Sequence, residues 1–316
     1  MRFALDEDRE ALRSTARELL TELCPASAVR AAWTGVPDDA AWNALADIGA
    51  LAVLVPEPDG GLGLDETYLV PVVEEAGRAA LPHPLTVTAL VAAPLGVVGP
   101  TVATDLGAAG SVVASAGFAE CFLLVSGGGL RLYEAHEVDV EPVETVDASR
   151  HCGRVRPRTG GRSVTEDPDA VAAAFDRGVL GTAAELLGLS RTMLELTVDY
   201  ATQRHQFGKP IGSFQAVKHH LANARLEIEF AVPAVLYAAY AIAHGQPDAS
   251  RSVSQAKWLA GRAAAVAGRA ALQCHGAIGY TTEHDLHLYL KRSWALARAW
   301  GSADFHADRV AASIRL

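Results

Sequence analysis

The sequence predicts a mainly α protein with a small β domain set between two helical regions. Apolar residues recur at intervals of three or four through the first third of the chain and again through its last half. Between them lie short β-branched or apolar runs broken by glycines, the pattern of strands and hairpins. The chain is 50% hydrophobic and 20% charged, the balance of a protein that buries a large core. The expected layout is an N-terminal helical domain over 1–97, a reduced middle β domain over 98–167 and a C-terminal helical bundle over 168–316.

In the first region Leu12, Ala16, Leu19 and Leu20 mark one face of a helix, with Asp8, Glu10, Arg13 and Glu18 around it. A second helix is expected over 38–48, where Trp42, Leu45 and Ile48 share a face and Gly49 is placed to end it. Val55 to Gly63, with Pro56, Pro58, Gly60 and Gly61, is a loop by composition. Another helix follows over about 66–79 and stops near Pro82-His83-Pro84.

In the middle, 111–115, 121–126 and 130–133 read as strands, and 148–168 as a polar connection. Over 217–243 Leu221, Ala224, Ile228, Ala231, Val235 and Ala239 repeat at helical spacing, and the pattern continues on both sides of Pro233, so a kink is expected there rather than a break. Over 253–274 alanines and glycines such as Ala263, Ala264, Ala267, Gly268 and Ala271 fall on several faces. That implies close helix contacts in a four- or five-helix bundle.

Lys+Arg 27 against Asp+Glu 37 gives a net charge of −10, with no basic block, so no nucleic acid is expected as a partner. A few well-placed arginines can still serve an anionic ligand. The first ten residues have no apolar core, so no secretory signal is expected. The longest apolar stretch, 85–99, is interrupted by Thr86, Thr88 and Pro94 and is too short for a membrane span. Cys24, Cys121, Cys152 and Cys274 are far apart and form no CxxC pair, so neither a disulfide framework nor a metal site is expected. These features together lead us to expect a cytoplasmic protein.

Two constellations carry chemistry. In Arg204-His205-Gln206-Phe207-Gly208-Lys209-Pro210, followed by Phe214-Gln215, the glycine and proline stop a helix carrying Tyr200 and Arg204. The guanidinium offers a planar fork of donors suited to a phosphate, and Phe207 offers a face for a flat ring. Taken alone, the same residues also fit a solvated arginine and a core phenylalanine at a helix terminus. In Gln273-Cys274-His275-Gly276-Ala277-Ile278-Gly279-Tyr280, glycines past an alanine-rich helix allow close backbone approach and exposed amides that can cradle a diphosphate. An ordinary glycine helix cap reads the same way.

In this order, on a bundle of this size, the two constellations resemble the acyl-CoA dehydrogenase family. The resemblance extends to the helix over Trp42 to Gly49, the Val55-Pro56-Glu57 loop with Gly60-Gly61, and the Glu74-Glu75 helix, and it is weakest in the middle. It implies the three-part fold above, FAD as cofactor, an acyl-CoA thioester as substrate, and assembly as dimers or tetramers. It assigns Arg204, Gln206, Phe207, Gln215, Gln273 and Gly276 to the adenine-diphosphate end of FAD, across a subunit interface. Ala277 replaces a glycine usual in that turn.

The family removes a proton from the thioester α-carbon with a carboxylate while a hydride leaves the β-carbon for the flavin. Here Trp300, in Ala299-Trp300-Gly301-Ser302, stands where that glutamate is usual, and Gly178 stands at the alternative position on an earlier helix. Val179 replaces a frequent arginine, and no tryptophan lies between Trp42 and Trp258, where relatives carry one against the flavin ring. Asp176, Glu185 and Glu283 are the remaining carboxylates to weigh, and their placement favours structural roles. The segment from Glu283 to Arg292 resembles an actinobacterial branch in which unlike short subunits form heterotetramers, some acting on steroid side-chain thioesters. The resemblance thus implies a subunit that lends FAD-diphosphate contacts to a second dehydrogenase-like chain owning the base. A non-catalytic scaffold beside a self-sufficient partner is the alternative. A flavoenzyme of different chemistry on the same fold is permitted by the missing carboxylate, but no residue points to it.

Overall fold

The computed structural model describes residues 5–107 and 112–314. Helix α1 (Glu7–Leu23) begins at Asp6, whose carboxylate accepts the Arg9 amide at 3.0 Å, and it buries Ala16 and Leu20. Helices α2 (Ala26–Ala31) and α3 (Ala40–Asp47) follow, and Gly49 at φ +79° ends the turn after α3 as expected. Helix α4 (Glu66–Arg78) is capped by Asp65, which accepts the Thr67 amide at 2.8 Å.

The apolar stretch after the prolines forms a π-helix over Thr86–Ala92, buried at every position except Val87. Its wider coil turns Thr86 toward the next helical region and Thr88 toward a strand, where the Thr88 hydroxyl accepts the Val102 amide at 3.2 Å.

The middle sheet runs β1 (Val102–Thr104), β2 (Cys121–Ser126), β3 (Gly129–Glu134) and, after a separate ribbon of β4 (Val138–Pro142) with β5 (Gly153–Pro157), β6 (Arg162–Thr165). Strand β1 is parallel to β2, and the β2–β3 and β3–β6 pairs are antiparallel. The 121–126 and 130–133 strands form as expected. In the 111–115 run Val113 makes an antiparallel bridge with Gly153, and Ser111 lies outside the described residues. The polar connection expected over 148–168 is a correction, because it supplies both β5 and β6. In β5 the cross-strand partners are charges, with Arg154 opposite Glu141 and Arg156 opposite Asp139. Electrostatic pairing there replaces the apolar alternation by which a strand is recognised.

The remainder is α5 (Pro168–Gln203), α6 (Gln215–Ala243), α7 (Ala249–His275), α8 (Leu286–Arg298) and α9 (Ala303–Ile314). Helix α6 runs through Pro233 without a break. Among the described residues it is the one helix long and apolar enough to cross a membrane by length and composition; here it packs along α7 and α5. Ala263, Ala264, Ala267 and Ala271 are buried in these contacts. Helix α4 crosses α5 at Gly77 and Gly188, where a Cβ on either would overlap the main chain of the other helix. Ion pairs flank the crossing: Glu66 with Arg177 at 2.7 Å, and Glu74 with Arg191 and Arg78 with Glu195 at 2.6 Å.

Arg292 of α8 ties the regions together. Its buried guanidinium donates to the Leu81 carbonyl at 2.7 Å, to Ser149 Oγ at 2.9 Å and to the Asp147 carboxylate. Burial pushes the Asp147 pKa up, but Arg292 and Ser149 outweigh it and hold the carboxyl below its ordinary range.

Candidate functional site

Helix α5 ends at Gln203, and the chain turns back through a two-residue ribbon, β7 (His205–Gln206) against β8 (Lys209–Pro210). The turn residues Phe207 and Gly208 have φ of +53° and +80°. Positive φ at both central positions defines a type I′ hairpin turn. A non-glycine residue there is strained, and Phe207 is also 91% exposed. Its ring meets the edge of Phe214, at 6.1 Å and 89°, and Lys209 Nζ lies 4.5 Å from the Phe214 centroid. Arg204 caps α5 through its amide to the Tyr200 carbonyl at 2.8 Å, leaving its side chain in solvent. Gln206 on the ribbon and Gln215 at the start of α6 are exposed as well.

The end of α7 lies against this hairpin's base. Tyr200 stacks on His275 with centroids 4.4 Å apart, and His284 meets His275 edge-on at 4.6 Å. His275 Nδ1 lies 2.9 Å from the Ala271 carbonyl, and burial lowers the pKa of the ring. Gln273 is exposed on α7, beside buried Cys274 and one turn after buried Ala270. Gly276 adopts φ +63° and ψ −137°, and nothing lies within 4 Å of where its Cβ would stand. Its amide is committed to the Leu272 carbonyl, which corrects one expectation: Gly276 gives close approach but no free donor. Gly279 is buried against His275 and Leu272, so it too packs rather than cradles.

Thus Arg204, Gln206, Phe207, Gln215, Gln273 and Gly276 all face solvent. Among the described residues no side-chain partner occupies the polar groups of Arg204, Gln206, Gln215 and Gln273. A guanidinium, three amides, an aromatic face and a backbone open to approach suit a dinucleotide diphosphate.

The two expected base positions also come together. Trp300 is buried at φ +57°, and its indole lies between Gly178 of α5 and Gly107 beyond β1; a Cβ at either glycine would overlap the ring. The Trp300 amide donates to the Gly107 carbonyl at 2.7 Å, and the Trp300 carbonyl accepts from His306 Nε2 at 2.8 Å. Lys257 Nζ donates to the Ala297 and Gly301 carbonyls at 3.4 and 3.3 Å. Burial lowers the Lys257 pKa to about 8 and the His306 pKa to about 4.

The other carboxylates are engaged or remote. Asp176 holds Arg309 at 2.7 Å and accepts from Ser250. Glu185 accepts from Thr86, and burial raises its pKa. Glu283 is exposed. Sequence reasoning identified Trp300 and Gly178 separately. That one fills the other's space rests on a long-range contact with no local signal.

Two family models match the chain: acyl-CoA dehydrogenase, N-terminal domain, over residues 6–100, and acyl-CoA dehydrogenase, C-terminal domain, over residues 169–315. The acyl-CoA dehydrogenase IpdE2 of Mycolicibacterium smegmatis is 32% identical, covering 98% of this chain and 100% of its own length. The acyl-CoA dehydrogenase FadE34 of Mycobacterium tuberculosis is 33% identical over 96% of this chain and 47% of its own. Among solved structures, a Tcur3481–Tcur3483 steroid ACAD variant superposes with a TM-score of 0.86 at 25% identity, covering 98% of both chains. The ChsE4–ChsE5 complex from Mycobacterium tuberculosis superposes at 0.84 with 23% identity and 99% coverage of both, a likeness of fold.

Proposed function

The chain belongs to the acyl-CoA dehydrogenase family, a family of FAD-dependent oxidoreductases acting on CH–CH bonds, and from that premise we propose that it is one subunit of a hetero-oligomeric acyl-CoA dehydrogenase. In this reading it holds the adenine-diphosphate end of FAD and leaves proton abstraction to a different subunit. The observation that carries the reading is the indole of Trp300 packed over Gly178, which fills the space a base would need at either position. An indole has a donor N–H and no acceptor for a proton.

Arg204 would supply the charge opposite the diphosphate, with Gln206, Gln215 and Gln273 hydrogen-bonding around it and Phe207 lying against the adenine. Gly276 would let the main chain approach without a Cβ. FAD, when bound, supplies the hydride acceptor. Because these groups point outward from one end of the bundle, the site they serve is completed by another chain. The Tcur3481–Tcur3483 steroid ACAD, named for two gene products, supports pairing with an unlike subunit and a steroid-type thioester as substrate.

The test is to recover the complex through a tag on this chain and measure flavin per complex. Arg204→Ala is expected to lower flavin content about tenfold or more while leaving the assembly intact. Unchanged flavin would favour the scaffold reading. Full flavin loading and thioester turnover by this chain alone would overturn the proposal.

A further inference from the structure

Three rings meet where the hairpin after α5 approaches the end of α7. Tyr200 lies in the last turn of α5, and its carbonyl accepts the Arg204 amide at 2.8 Å. His275 is the last residue of α7, between Gln273 and Gly276. His284 precedes α8, and its Nδ1 accepts the Leu286 amide at 3.1 Å. Tyr200 and His275 stack at 4.4 Å and 19°. His284 stands edge-on to both, 4.6 Å from His275 and 6.1 Å from Tyr200. One aromatic cluster thus touches the ends of α5 and α7 and the start of α8.

The His275 ring has a narrow chemistry. A carbonyl can only accept, so Nδ1 carries the proton donated to the Ala271 carbonyl at 2.9 Å. Burial lowers the ring's pKa and keeps it neutral at neutral pH, which leaves Nε2 a bare acceptor. Nε2 is buried and has no hydrogen-bond partner among the described residues. An unpaired buried acceptor weighs against folding, so stability alone would favour an apolar side chain here. What the imidazole supplies is a flat face with a fixed plane. The Nδ1 bond orients it, and the turn Gly276–Tyr280 folds back on it so closely that a Cβ at Gly279 would stand 3.0 Å from His275 Cβ.

Arg204 is carried by the end of α5, and Gln273 and Gly276 by the end of α7. Among the described residues no hydrogen bond joins the hairpin to the end of α7. Helix ends fray first, so groups on two helix tips keep a set spacing only where the tips are tied to each other. The Tyr200–His275 stack is such a tie.

We propose that His275 is a positioning residue for the cofactor: stacked on Tyr200, it holds Arg204 and Gln273 at the spacing a dinucleotide diphosphate needs, without touching the cofactor itself. This role rests on the reading of Arg204 as the diphosphate contact and adds to it two residues that reading does not use.

The complex recovered through a tag on this chain is stripped of flavin and titrated with FAD, following flavin fluorescence and heat. His275→Leu removes the flat ring and is expected to raise the FAD dissociation constant about five- to tenfold, the size of one aromatic pair. Tyr200→Leu should do the same from the half-buried side of the stack, so the test stands even where His275→Leu fails to assemble. Tyr200→Phe keeps the ring and should stay within about twofold of the parent. In an Arg204→Ala background His275→Leu should weaken FAD by no more than about twofold further, because the spacing then has no guanidinium to serve. A purely structural role would subtract its full loss in both backgrounds. Unchanged FAD affinity in the leucine variants, an equally large loss in Tyr200→Phe, or full additivity with Arg204→Ala would each overturn the proposal. Unchanged FAD affinity in Arg204→Ala alone would instead sink the subunit reading, so the two failures are distinguishable.

Discussion

A single aromatic ring fills the corner between Gly107 and Gly178. Trp300 adopts a left-handed backbone conformation that costs an L-residue about 1–2 kcal/mol; the Gly107 carbonyl and His306 hold it there, and Lys257 holds the carbonyl of the next residue, Gly301. The glycines on either side are as necessary as the ring. Gly178→Ala is expected to destabilise the protein by about 1–3 kcal/mol, the cost of overpacking a filled core. Trp300→Ala alone opens a void and costs about 3–5 kcal/mol. In the double variant the new methyl enters that void, so the summed losses should exceed the measured one; urea unfolding of the four species checks this. A double-variant loss equal to the sum of the two single losses would mean that the ring and Gly178 do not touch.

At the scale of elements, the hairpin after α5 lets the proposed binding role be tested apart from the folding role. Phe207 sits where asparagine is preferred, so Phe207→Asn relieves strain while losing the edge contact with Phe214. These terms offset, and stability should stay within about 1 kcal/mol of the parent. Flavin retention should nevertheless fall, read as flavin lost on gel filtration; retention equal to the parent would remove Phe207 from the cofactor site. The helix end here was legible because Gly208 and Pro210 punctuate it, but the type I′ turn was not, since Phe-Gly is an unfavoured pair for it. The long helices were legible from period alone, as with Ile228 and Val235 on the buried face of α6. Strands β5 and β6 and the π-helix were not. Arginine opposite glutamate gives a ribbon no apolar alternation, and a buried apolar run looks the same whatever its coil.

Across the whole molecule, the three regions meet on Arg292, and no spacing in the sequence announced its contacts with Leu81, Ser149 and Asp147. Arg292→Met removes one partner of a buried pair and leaves the Asp147 carboxylate uncompensated. A loss of about 3–5 kcal/mol is expected, partly recovered by adding Asp147→Asn, as measured by chemical denaturation. A loss under 1 kcal/mol would show that the regions are held mainly by apolar packing. The candidate residues could be named from type and position, while their separation into an outward-facing end and a corner sealed by the indole emerged only in three dimensions. Under the proposed division of labour, that sealed corner acts as an evolutionary ratchet. A carboxylate introduced at position 300 would stand in the hollow left by the indole, flanked by the bare backbone of Gly107 and Gly178. Independence from a partner is therefore several coordinated changes away, and the partnership, once entered, is kept by packing as much as by chemistry.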